Sequence, residues 1–235
     1  MEKYELINNY KNVRARADAA CLRAGRKPED VTVVAVSKTK PLEMIEELAE
    51  LGVKDFGENY VQELAGKADA VQHPVTWHFI GHLQTNKVKQ VLGRAAMIHS
   101  VDSMHLAQAI SKEAEKRGVE TVDILIEINI GKEASKSGIP EEEAEELLRQ
   151  IVTLPHLRVK GLMSIAPFVE DPEDNRHHFR RLEALRHRLQ EQSIPNAPMT
   201  ELSMGMTGDF EVAIEEGATL VRVGTAIFGA RDYTI

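Results

Sequence analysis

Eight short runs of β-branched and aliphatic residues alternate with helical patterns along these 235 residues, repeating about every 25. The first is Val31 to Pro41, "VTVVAVSKTKP". The others are Val53–Gly57, Thr76–His82, "AMIHSVDS", Val122–Asn129, "LRVKGLMSIAP", "MTELSMGM" and "TLVRVGTAIFG". Helical spacing of apolar residues predicts helices from Pro41 to Leu51, Asn59 to Ala70, near Gln84, after Asp102 or Ser103 to Arg117, from Pro140, from Asp171 to Gln190, and a short one from Thr207. An amphipathic helix, Glu2 to Ala24, precedes them all. Strands this apolar suit a parallel sheet buried on both faces. Eight such units predict an α/β fold: one (β/α)8 TIM barrel over residues 1–235 with an extra N-terminal helix. An open doubly wound sheet is the alternative, and no G-x-G-x-x-G follows the first strand to support it.

A net charge of −8 argues against a broad nucleic-acid or anionic-membrane surface. A single cysteine, Cys21, excludes an internal disulfide and falls on the apolar side of the first helix, where a buried packing role is expected. No stretch has the pattern of a signal peptide or the length of a membrane span, so the expected location is cytoplasmic.

In a (β/α)8 barrel, chemistry sits at the carboxyl ends of the strands. Lys38 stands at the end of the first strand. Burial would favour its neutral amine, the form that attacks a carbonyl; a lysine snorkelling to solvent is the alternative. The ends of the seventh and eighth strands read "LSMGMTGDF" and "RVGTAIFG". Ser203 and Thr225 offer hydroxyls there, and Gly205 and Gly224 allow close approach of backbone N–H groups, as a phosphate cradle requires. Arg222 shares a strand face with Leu220 and Gly224, so it points either inward to a buried acceptor or outward to a helix carboxylate. His78 and His82 are read as sharing a face of the third strand, in hydrogen-bonding rather than metal roles. A lysine and a phosphate cradle together suit a ligand with an aldehyde and a phosphate: pyridoxal 5'-phosphate (PLP), or a sugar phosphate in a Schiff-base aldolase.

The motifs "VAVSKTKP", "FGENYVQE", "WHFIGHLQTNK", "SVDS", "ASKSGI", "GLMSIAP" and "LSMGMTGDFEVAIEEGATLVRVGTAIFG", in this order from Val31 to Arg231, resemble the pyridoxal phosphate homeostasis protein family. The resemblance implies a PLP fold-type III barrel like the N-terminal domain of alanine racemase, with PLP held as an internal aldimine on Lys38. It implies Ser203, Gly224 and Thr225 at the phosphate, Arg222 at the pyridine nitrogen, and Asn59 and His82 lining the pocket, with Met204 and Ser164 as further contacts. It implies a monomeric cofactor carrier without robust turnover, whose partners are PLP and PLP-dependent apo-enzymes. A PLP-dependent amino-acid racemase is the alternative. Racemisation needs acid–base groups on both faces of the substrate carbon. Lys38 could serve one; Tyr60 is the unsupported candidate for the other, and the racemases' second domain finds no counterpart after Gly229.

Overall fold

A computed structural model describes residues 1–133 and 136–230. Eight parallel strands close into a barrel in sequence order: β1 (Thr32–Val36), β2 (Asp55–Glu58), β3 (Thr76–Phe79), β4 (Ala95–Val101), β5 (Val122–Glu127), β6 (Leu157–Met163), β7 (Glu201–Met206) and β8 (Leu220–Val223). Pairing of β1 with β8, in the register Val34 opposite Arg222, closes the ring. The helices are α1 (Lys3–Arg23), α2 (Leu42–Glu50), α3 (Val61–Ala70), α4 (Val88–Val91), α5 (Met104–Arg117), α6 (Ala144–Ile151), α7 (Arg176–Glu191), α8 (Phe210–Glu215) and α9 (Thr225–Phe228). Residues 134–135, within the quoted "ASKSGI" motif, and residues 231–235 lie outside the described chain.

Alternation of side chains splits the buried residues into two layers. Val33, Ala35, Phe56, Ile98, Ile124, Leu202 and Val221 face outward and pack with the helices. Val34, Leu125, Met163 and Leu220 form a separate apolar cluster, with Met97 against it, inside the barrel. Arg222 is two residues from Leu220 and so belongs to the inner face, which resolves its orientation.

The extra helix has a structural task. Among the described residues only the four-residue α9 follows β8, and α1 packs against α2, α8 and α9. Its buried stripe, Leu6, Val13, Ala17, Ala20 and Cys21, joins the outer core beside Val31 and Val33. Arg14 donates to the Val31 carbonyl at 2.9 Å and Asn9 to the Ile227 carbonyl at 3.2 Å, fixing the helix across the seam. α1 thus covers outward-facing β1 and β8, as the last helix of a regular barrel would.

Element ends differ from the sequence expectation where local turns intervene. The third strand stops at Phe79, so His82 lies beyond it and does not share a strand face with His78. The helix expected from Thr207 begins at Phe210, because the Asp209 carboxylate accepts from the Met206 amide at 2.7 Å and closes a turn first. Ser103, rather than Asp102, caps α5, accepting from the Leu106 amide.

Candidate functional site

Lys38 occupies a tight turn at the end of β1. The Lys40 amide donates to the Ser37 carbonyl at 3.0 Å, placing Lys38 and Thr39 at the turn's centre. Thr39 has φ +63°, a left-handed conformation that a β-branched side chain resists. Surrounding groups hold it there. The Glu63 carboxylate accepts from the Thr39 amide at 2.8 Å. Lys67 donates to the Ser37 carbonyl at 2.8 Å, to Glu63 at 2.8 Å and to Glu58 Oε1 at 2.7 Å. The Ser37 hydroxyl donates to the same Glu58 oxygen at 2.6 Å. Glu58 is fully buried, and burial raises its carboxyl pKa against the pull of Lys67. Its other oxygen, Oε2, has no partner among the described residues, and neither has Asn59 Oδ1 beside it.

Across the barrel, Arg222 is buried and directed to two acceptors. Nη1 donates to Ser203 Oγ at 2.5 Å and Nη2 to the Ser164 carbonyl at 2.9 Å. Burial lowers the guanidinium pKa to about 10, opposed by the negative charges of Glu127 and Asp209, so it stays a cation at neutral pH. The Ser203 hydroxyl lies at 2.9 Å from His99 Nδ1. Burial, with the neighbouring His78 and the Arg222 guanidinium adding to it, holds His99 well below the ordinary histidine range, so it is neutral.

The structure therefore sorts the residues singled out by sequence. Ser203 is fully buried between Arg222 and His99, and its hydroxyl accepts from Arg222. The Met204 side chain packs outward with Leu202, which leaves only its backbone to the barrel end. The Ser164 hydroxyl donates to the Ile128 carbonyl at 2.6 Å; its own carbonyl is what serves Arg222. The chain just before His82 packs on the Asn59 backbone: a Cβ on Gly81 would stand 2.1 Å from the Asn59 carbonyl oxygen, so only glycine permits this approach. At the β7 and β8 ends, the Gly224 amide donates to Thr207 Oγ1 at 3.3 Å, and exposed Thr225 begins α9, whose first amides have no intrahelical acceptor. Gly205, at φ +89° and with Ala213 Cβ only 2.5 Å from where its own Cβ would stand, lets α8 close on β7.

Two inward-facing residues escape notice in sequence. His99 hides in the apolar run "AMIHSV", and only its alternation with Met97 betrays its face. Glu127 ends β5 on the same face as Leu125. Burial pushes the Glu127 carboxyl up to about 7; Asp102 adds to the rise and Arg222 opposes it.

That shift fixes a sign. The folded chain keeps a proton on Glu127 up to about pH 7, whereas the unfolded chain releases it near 4.5. The stability it contributes is therefore present below 4.5 and lost as pH rises through 7. Glu127→Gln should be more stable than the parent at about pH 8, by on the order of 3 kcal/mol, with the difference vanishing below about pH 4.5. Denaturant unfolding at the two pH values checks this.

Relatives accord with this geometry. Residues 5–232 match the family model described as alanine racemase, N-terminal domain. The chain is 47% identical over 222 residues to the pyridoxal phosphate homeostasis protein of Aquifex aeolicus, covering 94% of this chain and 96% of that one. It is 40% identical over 234 residues to the protein of the same name in Escherichia coli K12, covering 98% of each. The solved structure of PipY from Synechococcus elongatus PCC7942 with PLP bound superposes with a TM-score of 0.78 at 34% identity, over 91% of this chain and 99% of that one. Alanine racemase of Clostridium difficile 630, at 15% identity and TM-score 0.77, shares the barrel over 98% of this chain and 58% of its own. The chain belongs to the pyridoxal phosphate homeostasis protein family, built on a barrel of the alanine racemase N-terminal type.

Proposed function

We propose that this chain binds PLP at the carboxyl end of its barrel, covalently through Lys38 Nζ, and holds it for delivery to PLP-dependent apo-enzymes without robust turnover of its own. The observation that carries the reading is the set of groups meeting at one barrel end: the lysine of a strained turn, a buried cationic guanidinium, and an anion-compatible rim at Gly224 and Thr225. The unpartnered Asn59 Oδ1 adds a polar atom that a ligand could satisfy. When bound, PLP supplies an aldehyde that condenses reversibly with a primary amine, and a phosphate.

Each residue then has a task. Lys38 provides the amine. Arg222 donates toward the ring, and its positive charge disfavours a proton on the pyridine nitrogen, which weakens the ring as an electron sink. That suits holding rather than carbanion chemistry. Gly224 and Thr225 hold the phosphate, with Asn59 and His82 at the side. The names of the relatives, homeostasis proteins rather than racemases, support the same reading. The carrier acts as a monomer in the cytosol, where a lone buried cysteine stays reduced; among the described residues no helix is long and apolar enough to cross a membrane.

Titration of the PLP-free protein with PLP, followed by absorbance, tests this. A stoichiometric visible band, and transfer of the cofactor to an apo-enzyme with recovery of that enzyme's activity, are expected. Absence of uptake contradicts the reading. Exchange of the α-hydrogen of a common amino acid for deuterium at enzymatic rates would instead make it a racemase-like enzyme.

A further inference from the structure

A continuous line of hydrogen bonds crosses the barrel interior below the site. Asp55, the first residue of β2, has Oδ1 3.1 Å from His78 Nε2. His78 Nδ1 is 2.9 Å from His99 Nε2. His99 Nδ1 is 2.9 Å from Ser203 Oγ, which is 2.5 Å from Arg222 Nη1. His78, His99, Ser203 and Arg222 are buried; Asp55, at the amino-terminal mouth, keeps 31% of its side chain exposed. The participants come from β2, β3, β4, β7 and β8, so the line ties together strands on different sides of the barrel.

Its two ends fix its polarity. A guanidinium only donates, and a carboxylate only accepts. Ser203 must therefore accept from Arg222, which leaves its one proton free to go to His99 Nδ1. His99 carries its proton on Nε2 and gives it to His78 Nδ1. His78 carries its proton on Nε2 and gives it to Asp55. For neutral rings this is the one arrangement in which neither two donors nor two acceptors face each other, and Asp55 sets it, because its carboxylate requires a proton on the facing His78 Nε2. Moving any proton in the line forces the next to move, and the last to be affected is the acceptor of Arg222.

We propose that Asp55, His78, His99 and Ser203 are a positioning relay that holds the Arg222 guanidinium in its orientation toward the cofactor ring; this rests on the reading that PLP is held at that end of the barrel. A merely space-filling role for these side chains would confine their effects to their own neighbourhood. The relay instead predicts that the far end, Asp55 at the opposite mouth, is felt at the cofactor.

The polarity is tested without any cofactor. Histidine side-chain 15N spectra of the full chain at neutral pH should report His78 and His99 as neutral Nε2–H tautomers. A Nδ1–H tautomer or a doubly protonated ring at either position overturns the relay. The coupling is tested in the PLP-loaded chain. Asp55→Leu removes the terminal acceptor and should shift the visible band and weaken PLP retention about tenfold, while Asp55→Asn, which keeps an acceptor oxygen, should stay near the parent. His99→Phe, which breaks the line at its centre, should move the same two readouts in the same direction as Asp55→Leu. Unchanged band and retention in folded Asp55→Leu overturn the proposal; should His99→Phe fail to fold, Asp55→Leu at the half-exposed end still decides it. A parent chain that takes up no PLP defeats the binding reading, whereas a parent that binds PLP and ignores position 55 defeats the relay alone.

Discussion

Lys38→Ala is expected to abolish the visible PLP band while the fold persists. The backbone of the turn is set by the Ser37 carbonyl, the Lys40 amide, Lys67 and Glu63, and none of these bonds passes through the Lys38 side chain. The substitution lies at a half-exposed loop position, so its effect on stability should stay within about 1 kcal/mol. What it removes is the amine, without which the aldehyde has no covalent anchor at this end of the barrel. Residual PLP held through Arg222, Gly224 and Thr225 should leave readily on gel filtration. A variant that keeps a parent-like band defeats the assignment of Lys38, because the adduct would then sit on another amine.

Lys67→Met should be the most destabilising single change near the site. Lys67 is nearly buried and is the cation for fully buried Glu58, whose second oxygen already lacks a partner. Removing it leaves a carboxylate in a low-dielectric position and releases the Ser37 carbonyl from Lys67, at the start of the Lys38 turn. Breaking one half of a buried pair costs about 3–5 kcal/mol. Glu58 already has a raised pKa through burial, and losing Lys67 raises it further. Its stabilising contribution is then present at low pH and lost as pH rises, so the penalty should be larger at about pH 8 than at about pH 5. Lys67→Met with Glu58→Gln should recover most of the loss. Equal penalties at both pH values, or no recovery in the double variant, would contradict this picture of the turn's support.

The barrel was legible because its signal is redundant: eight apolar runs alternating with helices leave few ways to bury both faces of a sheet. Arg222 was half legible. Alternation tied it to Leu220, but the side on which Leu220 lay needed the closed ring, where it packs with Val34, Leu125 and Met163. The partners of Ser203 were not legible, because a hydroxyl in a glycine-rich strand end looks the same whether it faces an anion or, as here, Arg222 and His99. Those partners lie 19 and 104 residues away, beyond the reach of local pattern. Lys67 was hidden for the same reason. In "VQELAGKADA" it reads as a solvated helix face, and only folding brings it to Ser37, thirty residues earlier in the chain. His99 and Glu127 carried a signal in the period-two pattern of their strands, as polar residues on the faces of Met97 and Leu125.

The measurement that bears most directly on the account is reduction of the PLP-loaded protein with borohydride, followed by peptide mapping. The account predicts one phosphopyridoxyl group, fixed on the peptide that contains Lys38. Label spread over surface lysines, or fixed on a peptide that lacks Lys38, would contradict it.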